Sequence, residues 1–298
     1  RTWESAPFAN QPAFVPRNLG NPDLGPEVTT ELEAGFDASL FGGRLDAIFT
    51  YFDAVTSDAL FGVLQPASEG FGGSQLRNIG EIKNSGLELQ LNTSPIRTAD
   101  WGWDIGLNLS TLNSEVLDLG GAPEFSLGGG GWVIEGQPAP VIRGRFVTNA
   151  DQAADPNIEK NHIYGPNYPP LILSPSTTFR LPGGISVTAV GEYKGGAYAR
   201  VGNTTHGGVR RGAKMPMCYP YYENPGVTTT LKGDTPALWR ARCTAKTTNG
   251  DFHIYPIDFF RLRTLAASMP VDFLFPDRVS NSTLTLSLNQ SFSWIKDF

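Results

Sequence analysis

Eight segments of the chain alternate apolar and polar residues, and the links between them run short, long, short, long, short, long, short. In the first segment Thr30, Leu32, Ala34, Phe36, Ala38 and Leu40 share one parity, while Glu31, Glu33, Asp37 and Ser39 take the other. A period of two predicts a strand with one apolar face. The last segment repeats the pattern, with Leu284, Leu286 and Leu288 against Thr283, Thr285, Ser287 and Asn289.

The segments pair into four expected hairpins. The first runs from about residue 27 to 41, turns on two residues at Gly42-Gly43 and returns to about residue 57, since glycine accepts the positive φ of a tight turn. Its return strand is less clean, because Ile48 and Phe52 join Asp46 and Thr50 on the polar side. The second sets Leu87, Leu89 and Leu91 against Glu88, Gln90 and Asn92, turns between Thr93 and Asp100, and returns through Trp101, Trp103, Ile105, Leu107 and Leu109. The third turns at Pro182-Gly183-Gly184. The fourth spans Asp258 to Met269 and Ser282 to about Gln290, with a turn on Pro270, Pro276, Asp277 and Asn281. The stretch 119–169 shows no clear periodicity, and its Gly128–Gly131 run reads as a flexible outer loop.

Short links at one end and long links at the other suit an antiparallel transmembrane β-barrel, whose two rims face different compartments. Greek-key sandwiches mix link lengths at both ends, so a soluble sandwich is the alternative. The apolar faces are almost free of charge at their middles, as lipid contact requires. Trp101 and Trp103, beside a turn, stand where an interfacial girdle would lie. No apolar run reaches the roughly 18 residues of a membrane helix. The polar parity, including Glu88, Gln90, Asp104, Asn108, Glu192 and Lys194, would face a lumen.

Composition narrows the function. The 298 residues carry 34 Gly and 23 Pro, a net charge of −6 and a pI near 5.1. With no clustered Lys and Arg in the sequence, nucleic acid is excluded as the natural partner. His162, His206 and His253 lie in long links without the spacing of a triad or metal site, so no enzyme, metal or cofactor is expected. Asp151, Asp155 and Glu159 lack a calcium-loop register and read as solvated. Cys218 and Cys243, 25 positions apart in one polar link, are expected to form a disulfide in an oxidising compartment. The loop aromatics Trp132, Tyr219, Tyr221, Tyr222 and Trp239 are the candidate ligand-binding residues, able to stack on sugar rings or a peptide.

Specific residues add a resemblance. The stretch Asn21-Pro22-Asp23-Leu24 to Asp37 resembles the N-P-x-L-x-x-E-x-T-x-x-x-x-G-x-D strand entry of TonB-dependent outer-membrane receptors, and Asn78-Ile79-Gly80 to Glu88 resembles their N-x-G-x-x-x-N-x-G-x-E signature. Val133-Ile134-Glu135-Gly136-Gln137-Pro138, Phe259-Phe260-Arg261-Leu262-Arg263 and Asn289-Gln290-Ser291-Phe292-Ser293-Trp294 are similar to later landmarks of the SusC/RagA-type branch, in family order. The resemblance implies that residues 1–298 are the carboxy-terminal part of a 22-stranded barrel in the bacterial outer membrane, without the plug domain and the final strand. It implies import of a glycan, peptide or chelate with energy from the TonB complex, and a SusD-like lipoprotein lid. No export signal is visible at the amino end, and both ends read as cut. A ligand-binding surface β-domain and a passive porin-like barrel are the alternative functions.

Overall fold

The computed structural model describes residues 2–9, 11–18, 20–64, 68, 73–201, 216–225, 227–228, 230–244, 252–272 and 282–296. Its strands are β1 (Thr2–Phe8), β2 (Gln11–Asn18), β3 (Val28–Leu40), β4 (Leu45–Ser57), β5 (Leu60–Leu64), β6 (Ser74–Asn78), β7 (Glu81–Arg97), β8 (Gly102–Thr111), β9 (Asn113–Asp118) and β10 (Phe125–Gly128). They continue as β11 (Gly131–Val133), β12 (Val141–Val147), β13 (Ile158–Pro166), β14 (Leu171–Leu181), β15 (Ile185–Gly195), β16 (Tyr198–Arg200), β17 (Ile254–Pro256), β18 (Phe259–Pro270) and β19 (Thr283–Ile295).

Eight of these strands form one antiparallel wall in the order β19-β18-β15-β14-β8-β7-β4-β3. Each pairs with its neighbour in sequence among the eight, as the alternation predicts. The wall does not close, and β3 and β19 are its two edges.

The register aligns the apolar parity of every strand. Phe36, Phe49, Leu89, Leu109, Leu173, Tyr193, Phe260 and Trp294 are successive cross-strand partners and so form one continuous row on one face. Among the described residues no protein layer covers this face: Leu32 is 66% exposed, Leu286 70%, and Phe179, on an interior strand, still 39%. Trp103 stacks on Phe179 with ring centroids 4.9 Å apart, next to the short turns. From Trp103 to Thr111 the strand covers roughly 26 Å at about 3.3 Å per residue, a length suited to a bilayer core.

The opposite face is polar and internally paired. Arg180 meets Asp104 at 2.8 Å, Ser94 donates to Asp104 at 2.6 Å, and Glu192 pairs with both Lys194 (2.9 Å) and Arg263. Glu88 lies across from Thr50 and Ser110, and Gln90 across from Asn108. Phe52, which with Ile48 is an apolar intruder on this face, lies over Gly86, where a Cβ would strike its ring.

The glycines and asparagines of the signature have physical roles. Asn78 accepts from the Gly25 amide (2.7 Å) and donates to the carbonyls of Gly25 and Asp58 (2.9 Å each), clamping the entry of β3 to the end of β6. Gly80 has φ +84° and lies against the Asp118 carbonyl, while Gly86 lies against that of Thr111. These contacts let β7 run past the wall, pairing with β8 along one half and β9 along the other. Replacing Gly80 with Val is expected to cost about 2 kcal/mol or more, from strain plus collision, and is read as a lowered urea midpoint of the intact protein. An unchanged midpoint would remove this role.

Some boundaries differ from those expected. The first turn is a four-residue loop, 41–44, because Leu40 pairs with Leu45 and Phe41, Gly42 and Gly43 all take positive φ. β7 continues to Arg97, past a bulge between Thr93 and Ile96 that breaks the alternation. β19 continues to Ile295, past a register shift opposite Leu262 and Thr264. Pro276, Asp277 and Asn281 lie outside the described residues.

The long links are folded. β10-β11-β12-β13 form a four-stranded sheet in the stretch that looked aperiodic, β5 and β6 form a hairpin, and Gly128–Gly131 make the turn between β10 and β11. Among the described residues every buried apolar side chain lies in these links, and none in the eight-stranded wall. One core gathers Val116, Leu119, Phe125 and Val133 with Phe61 and Ile79 of the first link. A second joins Val147 of the second link to Ala237, Ala241 and Phe252 of the third. The periodicity was weak because the strands are short and their partners come from three separate links.

Candidate functional site

The folded links present two groups of aromatic and charged side chains. In the third link the disulfide Cys218–Cys243 (Cα–Cα 5.6 Å) packs with Tyr222, which is 3% exposed and donates to the Cys243 carbonyl. Tyr221 stacks on Trp239 of the short helix Ala237–Cys243, with centroids 4.7 Å apart. Tyr219, 40% exposed, lies on the surface of this unit. Arg242 is buried between the rings of Trp239 and Tyr255 and donates to the Phe252 carbonyl at 3.0 Å. Burial pushes its pKa down, and its Nη1 has no hydrogen-bond partner. Four of the five aromatic candidates therefore sit around the disulfide.

Trp132 stands elsewhere. It lies on β11 beside a cleft of about 310 Å³ whose lining includes Arg143 and Arg145 of β12, Lys160 of β13, Arg200 at the end of β16 and the Gly128–Gly130 turn. The Arg143 guanidinium lies 3.3 Å from the Trp132 ring centroid and also pairs with Glu124. Arg200 runs along Gly130, where no Cβ would fit. Next to this cleft on the same sheet, Phe146 stacks on His162 (4.4 Å) and His162 meets Tyr164 edge-on (4.9 Å), while Tyr164 contacts Tyr198 of β16 (5.8 Å). Burial pushes the Tyr164 phenol up to about 12, so it stays a neutral donor and holds the Arg145 carbonyl at 2.7 Å.

On sequence spacing His162 is weighed only as a triad or metal candidate, and no role falls to the basic residues or to Phe146, Tyr164 and Tyr198. Arg143 and Arg145, and His162 and Tyr164, repeat at spacing two, which is the signal that was available. His253 is buried and bonded to the Tyr255 hydroxyl. His206 lies outside the described residues. Asp151, Asp155 and Glu159 are exposed, and no three His, Cys, Asp or Glu side chains converge among the described residues.

An open wall with an uncovered apolar face and folded links at one rim agrees with what comparison finds. Residues 2–230 match the family described as TonB dependent receptor-like, β-barrel. The chain belongs to this family. TonB-dependent receptor P26 of Formosa agariphila is 37% identical over 131 residues, 42% of this chain and 13% of that protein. TonB-dependent receptor SusC of Bacteroides thetaiotaomicron is 32% identical over 104 residues, 35% of this chain and 10% of that protein. The structure of the RagAB peptide transporter superposes with a TM-score of 0.71 at 17% identity, covering 99% of this chain and 35% of that one. The chain thus spans about a third of the solved neighbour, and the aligned regions are about a tenth of the curated relatives. It is a SusC/RagA-type piece of an outer-membrane β-barrel.

Proposed function

We propose that this chain is the carboxy-terminal wall of a larger barrel that imports a nutrient with energy delivered by TonB, beneath a SusD-like lipoprotein lid. The observation that carries this reading is the open wall, whose two edge strands need neighbours. Closure would need further strands, and the polar face would then line a lumen filled by a plug. The folded links would meet the substrate first, with Trp132 and Tyr219 as its ligand contacts. Tyr221, Tyr222 and Trp239 would act there by shaping the disulfide-bound unit, and the partners are outer-membrane lipid, the TonB complex and the lid.

The test uses the intact receptor in its native outer membrane. The protein is expected to fractionate with outer membranes and to need detergent, and labelled substrate uptake is expected to stop when TonB is deleted. Uptake that persists without TonB would overturn the import reading in favour of passive flow.

A further inference from the structure

We propose that the disulfide-bound unit of the third link, 216–244, is a flap that lifts off the second link as one body. The motion belongs to the outer links alone and does not depend on the import proposed above. Inside, the unit is densely tied. The Cys218–Cys243 bridge closes it, and the Lys232 amide donates to the Tyr221 carbonyl and the Glu223 amide to that of Thr230, at 2.9 Å each. Arg240 donates to the carbonyls of Thr235 (2.8 Å) and Gly233 (2.7 Å), and Lys232 Nζ to that of Pro220 (2.7 Å). With Tyr222 packed against the bridge and Tyr221 stacked on Trp239, the unit has a core of its own.

Its seam with the second link is thinner. The helix Ala237–Cys243 has no side-chain cap at its start. Instead the Ala237 and Leu238 amides donate across the seam, to the carbonyls of Gln152 (2.8 Å) and Ala150 (3.1 Å). The buried apolar core there joins Ala237 and Ala241 to Val147 and Phe252, and alanines have little surface to bury. The seam also holds Arg242. Its guanidinium is 8% exposed, meets the rings of Trp239 and Tyr255 and the Phe252 carbonyl, and pairs with no carboxylate among the described residues. The rings attract the cation but do not fill its Nη1, which has no hydrogen-bond partner. A desolvated cation without an anion opposes the burial around it, and lifting the flap returns it to water. Trp239 would travel with Arg242, while Tyr255 would stay with β17.

Hydrogen exchange of the intact receptor in detergent, resolved to single amides, reads this motion. The Ala237 and Leu238 amides, whose bonds cross the seam, are expected to be protected about ten-fold or more weakly than two reference amides. One reference is Lys232 inside the flap, and the other is Thr148, bonded to the Asn157 carbonyl inside the second link at 3.0 Å. Arg242→Gln removes the charge and keeps an amide donor for the Phe252 carbonyl. It is expected to raise protection at 237 and 238 about five-fold or more, with Lys232 and Thr148 unchanged. Arg242→Lys keeps the charge and is expected to leave the seam amides as weakly protected as in the parent. An Arg242 that merely held the seam together would give the opposite sign, with protection lost in the Gln variant.

Equal protection at 237, 238 and 232 in the parent would overturn the proposal, because the unit would then open from within or not at all. Unchanged or weaker protection of the seam amides in Arg242→Gln would overturn it too. Should that variant fail to fold, the comparison of amides within the parent receptor decides alone. Uptake plays no part in these readings, so a flap that stays down leaves the import function standing.

Discussion

Leu107→Arg is expected to destabilise the membrane-inserted receptor by about 2 to 4 kcal/mol, because its side chain lies midway along the apolar face of β8. Leu107 pairs with Leu91 across the strands and lies between the Trp103 end and the Thr111 end of β8. Asn108→Arg, one position on, enters the polar face opposite Gln90 and Ser174, where water or a plug accepts the charge. It is expected to change stability by less than about 1 kcal/mol. Urea unfolding of the intact receptor in lipid vesicles separates the two. Equal damage from both substitutions would mean that the two faces do not meet different media, and the membrane orientation of the wall would be lost.

The second large effect concerns the third link. Opening the 25-residue loop between Cys218 and Cys243 by the pair Cys218→Ser and Cys243→Ser is expected to cost about 3 kcal/mol, through the added freedom of the unfolded chain. The cost falls on the outer unit. Tyr222, Tyr221, Trp239 and the short helix pack directly around the bridge, while the wall strands share no buried apolar core with it among the described residues. Limited proteolysis is therefore expected to cut the variant quickly within 216–244 and to leave the detergent-resistant wall intact. A variant as protease-resistant as the parent would show that the aromatic packing holds the unit without the bridge.

Much of the wall could be read in advance because each strand reports on itself. A residue facing lipid must be apolar and its neighbour facing water polar, so β3, β8 and β19 declare their type without reference to the rest of the chain. Bulges limited that reading. The irregularity near Thr93 hid the end of β7, and the shift opposite Leu262 hid the end of β19. The folded links escaped for a different reason. β11 has three residues and β10 four, too few for a period, and their apolar residues are buried by partners drawn from distant positions such as Phe61 on Phe125, 5.2 Å between centroids.

The candidate site shows the same division. Reading aromatics in polar links named Trp132 as a candidate, and the cysteine pair expected from spacing and setting is bridged. That reading grouped Trp132 with Tyr219, Tyr221, Tyr222 and Trp239 of the disulfide-bound unit, because distance along the chain says nothing about which link lies beside which. The basic lining was invisible for that reason: Arg143, Lys160 and Arg200 are scattered in sequence and meet through the pairing of β12 with β13 and the placing of β16.

The shared cores of the outer links carry a consequence for how such receptors diversify. Phe61 and Ile79 fill the same core as Val116 and Val133, and Val147 fills that of Ala237 and Phe252. Exchanging the second link alone for that of a relative would strand apolar partners in both of the others, and exchanging the first or the third would strand those in the second. New substrate ranges would then arise by inheriting all three links as a matched set, and chimaeras that transplant the set onto a foreign wall should fold where single-link transplants fail.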